Sequence, residues 1–340
     1  MVNETLAGIS YNFVVSATAV YALALFAYVA EWAFGARSRV GRTVPELVMA
    51  GGGDAAVGGV GGDTNAEAPL SADGPGPDGV PAPDAAGVDR AERLGRIGVS
   101  LTVLAAGLHL AGVLTRGLSV GRVPWGNMYE FVTAGTLVVV LVYLALLRRF
   151  DARWLGLFVT MPVLLALGAA VTVLYVDAGQ LMPALHSVWL VIHVAAAVIA
   201  SGCFTVGAVL TLLYLGLDLR ARRGLGPAYI GARRLPDPDV IDRLAYRVFA
   251  FAFPIWTFAV IAGAIWADQA WGRYWGWDPK ETWAFITWVV YAGYLHARAT
   301  AGWRGRKAAY IQLIGFASLV FNLVGVNLWI TGLHSYAGIS

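Results

Sequence analysis

Met128-Tyr-Glu-Phe-Val-Thr-Ala-Gly-Thr-Leu-Val-Val-Val-Leu-Val-Tyr-Leu-Ala-Leu-Leu147 decides the fold. Past Glu130 it carries no charge, and at roughly 20 residues it is the length that crosses a roughly 30 Å hydrocarbon layer as a helix. Stretches of this kind recur along nearly the whole chain: Tyr11 to Phe34, Ile97 to Thr115, Trp154 to Tyr175, Ser187 to Leu217, Leu244 to Ala267, Trp283 to Ala301 and Ala308 to Leu333. With 58% apolar residues, 13% charged residues and a mean hydropathy of +0.66, the composition excludes a soluble globular enzyme. The expected fold is all-α, a polytopic transmembrane bundle of about eight spans.

Outward from that stretch, the charges set the expected orientation. Arginines cluster at Arg37 to Arg42, Arg90 to Arg96, Arg148 to Arg153, Arg220 to Arg247 and Arg298 to Lys307, all on one side of an eight-span topology. By the positive-inside bias that side is the cytoplasm, with both termini outside. The opposite loops hold only Arg116, Arg122, Arg273 and Lys280. The first span follows a segment without Lys or Arg, unlike a cleavable signal. Three parts are expected: an N-terminal transmembrane helix (1–34), a cytoplasmic disordered linker (35–96) and a main transmembrane domain (97–340). Within the linker, Gly41 to Ala86 is rich in Gly, Ala, Pro and Asp and lacks aromatic residues. No internal repeat stands out. The single cysteine, Cys203, excludes an internal disulfide and a Cys-x-x-Cys motif, and in mid-span it reads as a small apolar residue.

The chemistry concentrates in one external loop, 266–283: Trp266-Ala-Asp-Gln-Ala-Trp271-Gly-Arg-Tyr-Trp275-Gly-Trp277-Asp278-Pro-Lys-Glu-Thr-Trp283. Seven of the thirteen tryptophans fall between Trp256 and Trp288. An interfacial aromatic belt spreads tryptophans over many helix ends, whereas these are gathered in one loop with glycines that let backbone lie against a flat surface. A planar, apolar ligand explains the concentration better. Asp278, Pro279 and Glu281 suit the N-cap, N1 and N3 positions of a capping box opening the next helix, which makes these acids structural rather than catalytic.

Five histidines complete the picture: His109, His186, His193, His296 and His334. A histidine within a span is costly and is usually there for function. His193 and His334 come from different helices at the depth of the tryptophan loop, and two imidazoles flanking an aromatic platform are suited to ligate heme iron from both faces. The competing reading is a pair of interfacial histidines bonded to backbone. His186 shares a helix face with His193 and ranks below it.

Trp271 to Trp288 resembles the tryptophan-rich (WWD) signature of the heme-handling proteins, in the CcsA/ResC branch of system II cytochrome c maturation. Ser187-Val-Trp-Leu-Val-Ile-His-Val194 and Gly325-Val-Asn-Leu-Trp-Ile-Thr-Gly-Leu-His-Ser-Tyr336 are similar to that family's two external-histidine segments. The resemblance implies that His193 and His334 are axial ligands of heme b carried as substrate, that Trp271, Trp275, Trp277, Asp278 and Trp283 belong to its platform, and that heme is presented at the outer face of the cell membrane. It further implies a second heme position at His296 within the membrane. The ligand opposite His296 comes from a companion in fused relatives, and His109 is the only candidate in this chain. The implied partners are a Ccs1/ResB-type membrane companion protein and an apocytochrome c bearing Cys-x-x-Cys-His, with no nucleic acid. This chain would be one component of a cytochrome c synthase complex rather than a stand-alone enzyme. Gly121 to Glu130 resembles a further family loop. Glu130 reads as packing, and Arg116, Arg122, Arg273 and Lys280 as candidate partners for heme propionates. Two other classes compete: a b-type electron-transfer cytochrome, which stacks histidine pairs along a helix, and a solute permease, for which Asn322 and Asn327 are the modest support.

Overall fold

The computed structural model describes residues 2–34, 85–179, 186–224 and 235–334. Gly41 to Ala86 lies outside the described residues as far as position 84. Among the described residues the regular structure is all helical: α1 (Glu4–Phe34), α2 (Ala85–Val120), α3 (Met128–Arg149), α4 (Gly156–Thr172), α5 (Val188–Arg222), α6 (Pro238–Trp271), α7 (Pro279–Thr300) and α8 (Arg306–Trp329). Seven of the eight are long and apolar enough to cross a membrane, α4 together with the 3-10 turn before it; α7 is the more polar exception. The expected all-α bundle is what forms. α2 begins at Ala85, ahead of the apolar run that starts at Ile97.

Local chemistry sets the helix ends. Asn127 accepts from the Glu130 N–H at 2.9 Å and opens α3, while Asp237 caps α6 ahead of Pro238. Each side-chain cap satisfies an amide that the first turn leaves without a helical partner. At the other end of α6, Gly272 takes a left-handed φ of 70° and closes the helix after Trp271.

The helices pack as pairs, α1 along α2 and α5 along α6, with α7 against α8 and α3 bridging to α5. The core is aliphatic and aromatic, centred on Phe204, Phe249, Trp256 and Tyr291 between α5, α6 and α7. Cys203 is buried in it, as expected.

Polar contacts mark the two ends of the bundle. At one end the Asn3 N–H donates to the Ser119 carbonyl, Ser187 to Gln269, and His334 to Asp278. At the other, Arg153 meets Glu31, Arg298 meets Asp242 at 2.8 Å, and Arg306 meets Asp218 at 3.6 Å. α7 therefore runs from one end to the other despite its polarity. Asn3, next to the start of the described chain, and His334, at its end, both lie at the end that holds the tryptophan loop.

Candidate functional site

A cavity opens at the tryptophan-loop end between α3, α5, α6, α7 and α8, lined among others by Trp125, His193, Trp266, Trp271, Trp275 and His334. Its walls are largely apolar, with few polar groups converging on the space, as in ligand sites generally.

His193 sits in the second turn of α5, and its ring is held by α6. Nδ1 lies 2.8 Å from the carbonyl oxygen of Ala259. A carbonyl only accepts, so Nδ1 carries the proton and Nε2 carries the lone pair. Gly263 makes this contact reachable: a Cβ there would stand 2.7 Å from both Cε1 and Nδ1 of the ring. His334, beyond α8, is held in the same manner, with Nδ1 2.8 Å from Oδ1 of Asp278. Histidines that ligate metals generally donate their other ring N–H to a carbonyl or a carboxylate, which fixes the tautomer and the ring plane. Both residues have that support.

Trp266 ties the two histidines together. Its indole is fully buried, lies nearly parallel to the His193 ring (8°, centroids 6.2 Å) and meets the His334 ring at 61° and 5.8 Å. Trp271 closes the group, 4.8 Å from Trp266 and 4.9 Å from His334.

The loop's other tryptophans divide. Trp275 lines the cavity, whereas Trp277 is 66% exposed and packs on Trp275 and Phe285, outside the cavity lining. Trp277 has a φ of 57°, a left-handed conformation that costs a non-glycine residue about 1–3 kcal/mol. Trp283 also stays outside the cavity, against Phe321 at 4.3 Å.

Asp278 does more than the capping box asks of it. It accepts from the Lys280 N–H at 3.1 Å, as the sequence leads one to expect, and Glu281 completes the box by accepting from the Asp278 N–H. It also accepts from the Leu333 N–H at 2.7 Å and from His334. Burial pushes the Asp278 carboxyl upward, but the bonds from His334, Leu333 and Lys280 outweigh it and leave it below the ordinary carboxylate value. Lys280, in the first turn of α7 ahead of its apolar run, faces the cavity. Burial pulls its ammonium down to about 8, with Asp278 acting in the opposite sense.

Two candidate propionate partners are engaged elsewhere. Glu130, 0% exposed, is met by Arg116 Nε at 2.9 Å and Arg122 Nη1 at 2.8 Å, and it accepts from the Gly126 N–H at 2.8 Å. The same arginines donate to the carbonyls of Val176 and Gly179, pinning the loop after α4. A fully buried carboxylate needs such company. Arg273 is exposed, which leaves Lys280 as the candidate of the four that faces the cavity.

The remaining histidines do not join the site. His296 lies on the exposed face of α7, toward the far end of the bundle. His109 is buried and packs edge-on against Tyr21 of α1 at 6.0 Å. Neither of its ring nitrogens has a partner at hydrogen-bond geometry among the described residues, although the Thr133 backbone is near. The structure thus does not bring His109 and His296 together, because the face that carries His109 is occupied by α1 and α3. His186 is exposed at the entrance to α5.

Among the described residues no group of three or more His, Cys, Asp or Glu side chains is disposed to hold a metal ion. Two imidazoles beside a broad aromatic cavity suit a metal whose other coordination positions are already filled by a flat macrocycle. The residues present therefore fit heme. Sequence reasoning passed over Trp266 as a bridge, the Ala259 carbonyl and Gly263. The tryptophan count pointed to the first, but nothing local to α6 signalled the other two.

Residues 125–334 match the family described as "Cytochrome C assembly protein". Over 293 residues, covering 70% of this chain and 87% of the relative, the sequence is 35% identical to the cytochrome c biogenesis protein CcsA of Synechocystis. Over 259 residues, 71% of this chain and 85% of the relative, it is 36% identical to the CcsA of Guillardia theta. The Gloeobacter violaceus CcsA matches at 32% over 75% of this chain and 90% of its own length. The match takes in every element that builds the cavity, from Trp125 to His334, and the chain belongs to the cytochrome c assembly protein family, among its CcsA-type members.

Proposed function

We propose that this chain serves cytochrome c biogenesis by holding heme in the cavity between His193 and His334 and presenting it to an apocytochrome. The observation that carries this reading is the pair of anchored imidazoles. Each Nδ1–H is donated to a protein oxygen, and both rings pack on one indole. His193 and His334 supply the axial nitrogens. Trp266, Trp271 and Trp275 provide the apolar wall, and Lys280 offers a cation to a ligand carboxylate. Trp277, exposed and strained, extends the aromatic surface at the mouth.

In this reading the loop end of the bundle faces outward and the arginine-rich end faces the cytoplasm, in keeping with the charge bias. His296, exposed toward that end, is the position where a second ligand from a Ccs1/ResB-type companion would complete an inner heme site. The heme is b-type and is cargo. The apocytochrome's Cys-x-x-Cys-His supplies the thiols that join the vinyl groups, and its histidine replaces one of the two axial ligands. The chain's own work is to orient the ring, exclude water and set the electronic state of the iron through its ligands.

The test is the reduced-minus-oxidised absorption spectrum of the protein purified with its companion, for wild type, His193→Gly and His334→Gly, each with and without imidazole. Loss of low-spin heme in both variants, restored by imidazole, is the expected result. Spectra unchanged by either substitution place the heme elsewhere.

A further inference from the structure

Beneath the cavity, the faces that α5, α7 and α8 turn toward one another carry polar side chains. On α8, Gln312, Ser318 and Asn322 share one buried face with Gly315 between them. Opposite them stand Thr211 and Ser201 of α5 and Thr287 and Tyr291 of α7, all buried as well. Some of these groups satisfy each other. Thr287 and Ser318 share a hydrogen bond of 2.9 Å, and the Thr211 hydroxyl donates to the side-chain oxygen of Gln312.

Four atoms are left over: Ser201 Oγ, Asn322 Oδ1, Tyr291 OH and Gln312 Nε2 have no partner among the described residues. A polar group buried in a membrane bundle without a partner costs several kcal/mol, so four along one seam call for a ligand. Their chemistry narrows what it is. Asn322 Oδ1 only accepts, Gln312 Nε2 only donates, and the two hydroxyls do either. An ion of one sign suits only one of the two amide atoms. Water, which gives and takes, suits all of it.

Their placement forms a line. Ser201 and Asn322 lie in the cavity lining. The Tyr291 ring rests against Gly315, where a Cβ would stand 2.9 Å from its Cε1, one turn from both Gln312 and Ser318. From Asn322 to Gln312 the axis of α8 descends roughly 15 Å, about half of a hydrocarbon layer. A π turn at Phe321–Gly325 carries Asn322, and such turns disturb the regular backbone ladder and gather at functional sites. We infer that the α5–α7–α8 seam binds a file of ordered waters running from the cavity floor to the level of Gln312. This inference does not depend on what the cavity itself holds.

Hydroxyl-radical labelling by water radiolysis, read by mass spectrometry on the whole wild-type protein in detergent, tests it, because radicals born at bound waters oxidise the side chains beside them. Tyr143 is equally buried, but its hydroxyl is bonded to Tyr28 and serves as the dry comparison. Tyr291 should be oxidised at least ~10-fold faster than Tyr143 if ordered water lies at its hydroxyl. Equal, slow oxidation of the two overturns the inference. Gln312→Leu and Asn322→Leu should each slow Tyr291 oxidation while leaving the exposed Tyr274 unchanged; Tyr291 labelling that ignores both substitutions overturns it as well.

Discussion

The Asp278 carboxylate holds the Nδ1 of His334 at 2.8 Å while capping the helix that begins at Pro279. One side chain thus fixes both the start of α7 and the aim of a histidine that follows α8. Asp278→Asn keeps an oxygen for the cap but turns an amide N–H₂ toward donors it cannot satisfy. The expected loss is about 1–3 kcal/mol, the usual cost of a buried group left unpaired. Thermal unfolding followed by circular dichroism in detergent measures it, and Asp278→Ala should fall further because the cap is lost too. Equal midpoints for wild type and Asp278→Asn would show the tether carries no stability.

Acid should act through the same carboxylate. Its pKa is lower in the folded protein than in the unfolded chain, so its stabilisation is fully present above the unfolded value near ~3.9 and is lost as pH falls through the folded value. The unfolding midpoint of wild type is expected to drop below about pH 4, and that of Asp278→Asn to drop less steeply over the same interval.

Lys280 gives the opposite kind of signature. Burial draws its pKa on folding from the ordinary lysine value of ~10.4 down to about 8. Between those values the unfolded chain binds more protons, so stability rises with pH across that window. Pulsed acylation of amines should reveal a lysine titrating near pH 8, traceable to Lys280 by peptide mapping. Lys280→Met should abolish the rise in stability over this window, while weakening the retention of a carboxylate-bearing ligand.

Gly263→Ala tests the approach of α6 to His193. The added methyl would stand 2.7 Å from the ring, so the bond to Ala259 must break or the helices must part. We expect loss of most low-spin heme signal with the fold retained. Gly293→Ala, at a position with no neighbour within 4 Å of the added carbon, should leave the spectrum as in wild type.

Glu130→Gln leaves Arg116, 3% exposed, without its carboxylate. Breaking a buried pair from one side costs about 3–5 kcal/mol. The variant should show a lower unfolding midpoint and proteolytic cutting near residues 173–179, the loop that Arg116 and Arg122 hold.

Much of this architecture is written locally in the chain. The uninterrupted run after Glu130 is a span whatever surrounds it, and Asp278-Pro279-Lys280-Glu281 caps a helix by its own spacing. The depth of His193 in its span and the crowding of tryptophans between Trp266 and Trp283 were enough to indicate where the cavity opens. What escaped the sequence depends on contacts between distant segments. Whether Arg116 and Arg122 face a ligand or Glu130 is decided by how α2 meets α3. Which tryptophans reach the cavity is decided by the turn at Gly276 and Trp277, which sends Trp275 inward and Trp277 out. No periodicity distinguishes His109, which is buried, from His296, which is exposed.

The π turn in α8 sets an angle as well as a local shape. One added residue rotates everything beyond it by roughly 100° about the helix axis, given 3.6 residues per turn. After Gly325 that rotation brings Asn327 to the sulfur of Met128 at 3.0 Å and sets the azimuth at which the chain leaves the helix toward His334. Deleting a single residue between Phe321 and Gly325 would restore an ordinary helix and swing that exit about a quarter of a circle away from Asp278. The bearing of one imidazole is thus clocked by a one-residue surplus that ends at Gly325, before the chain leaves the helix.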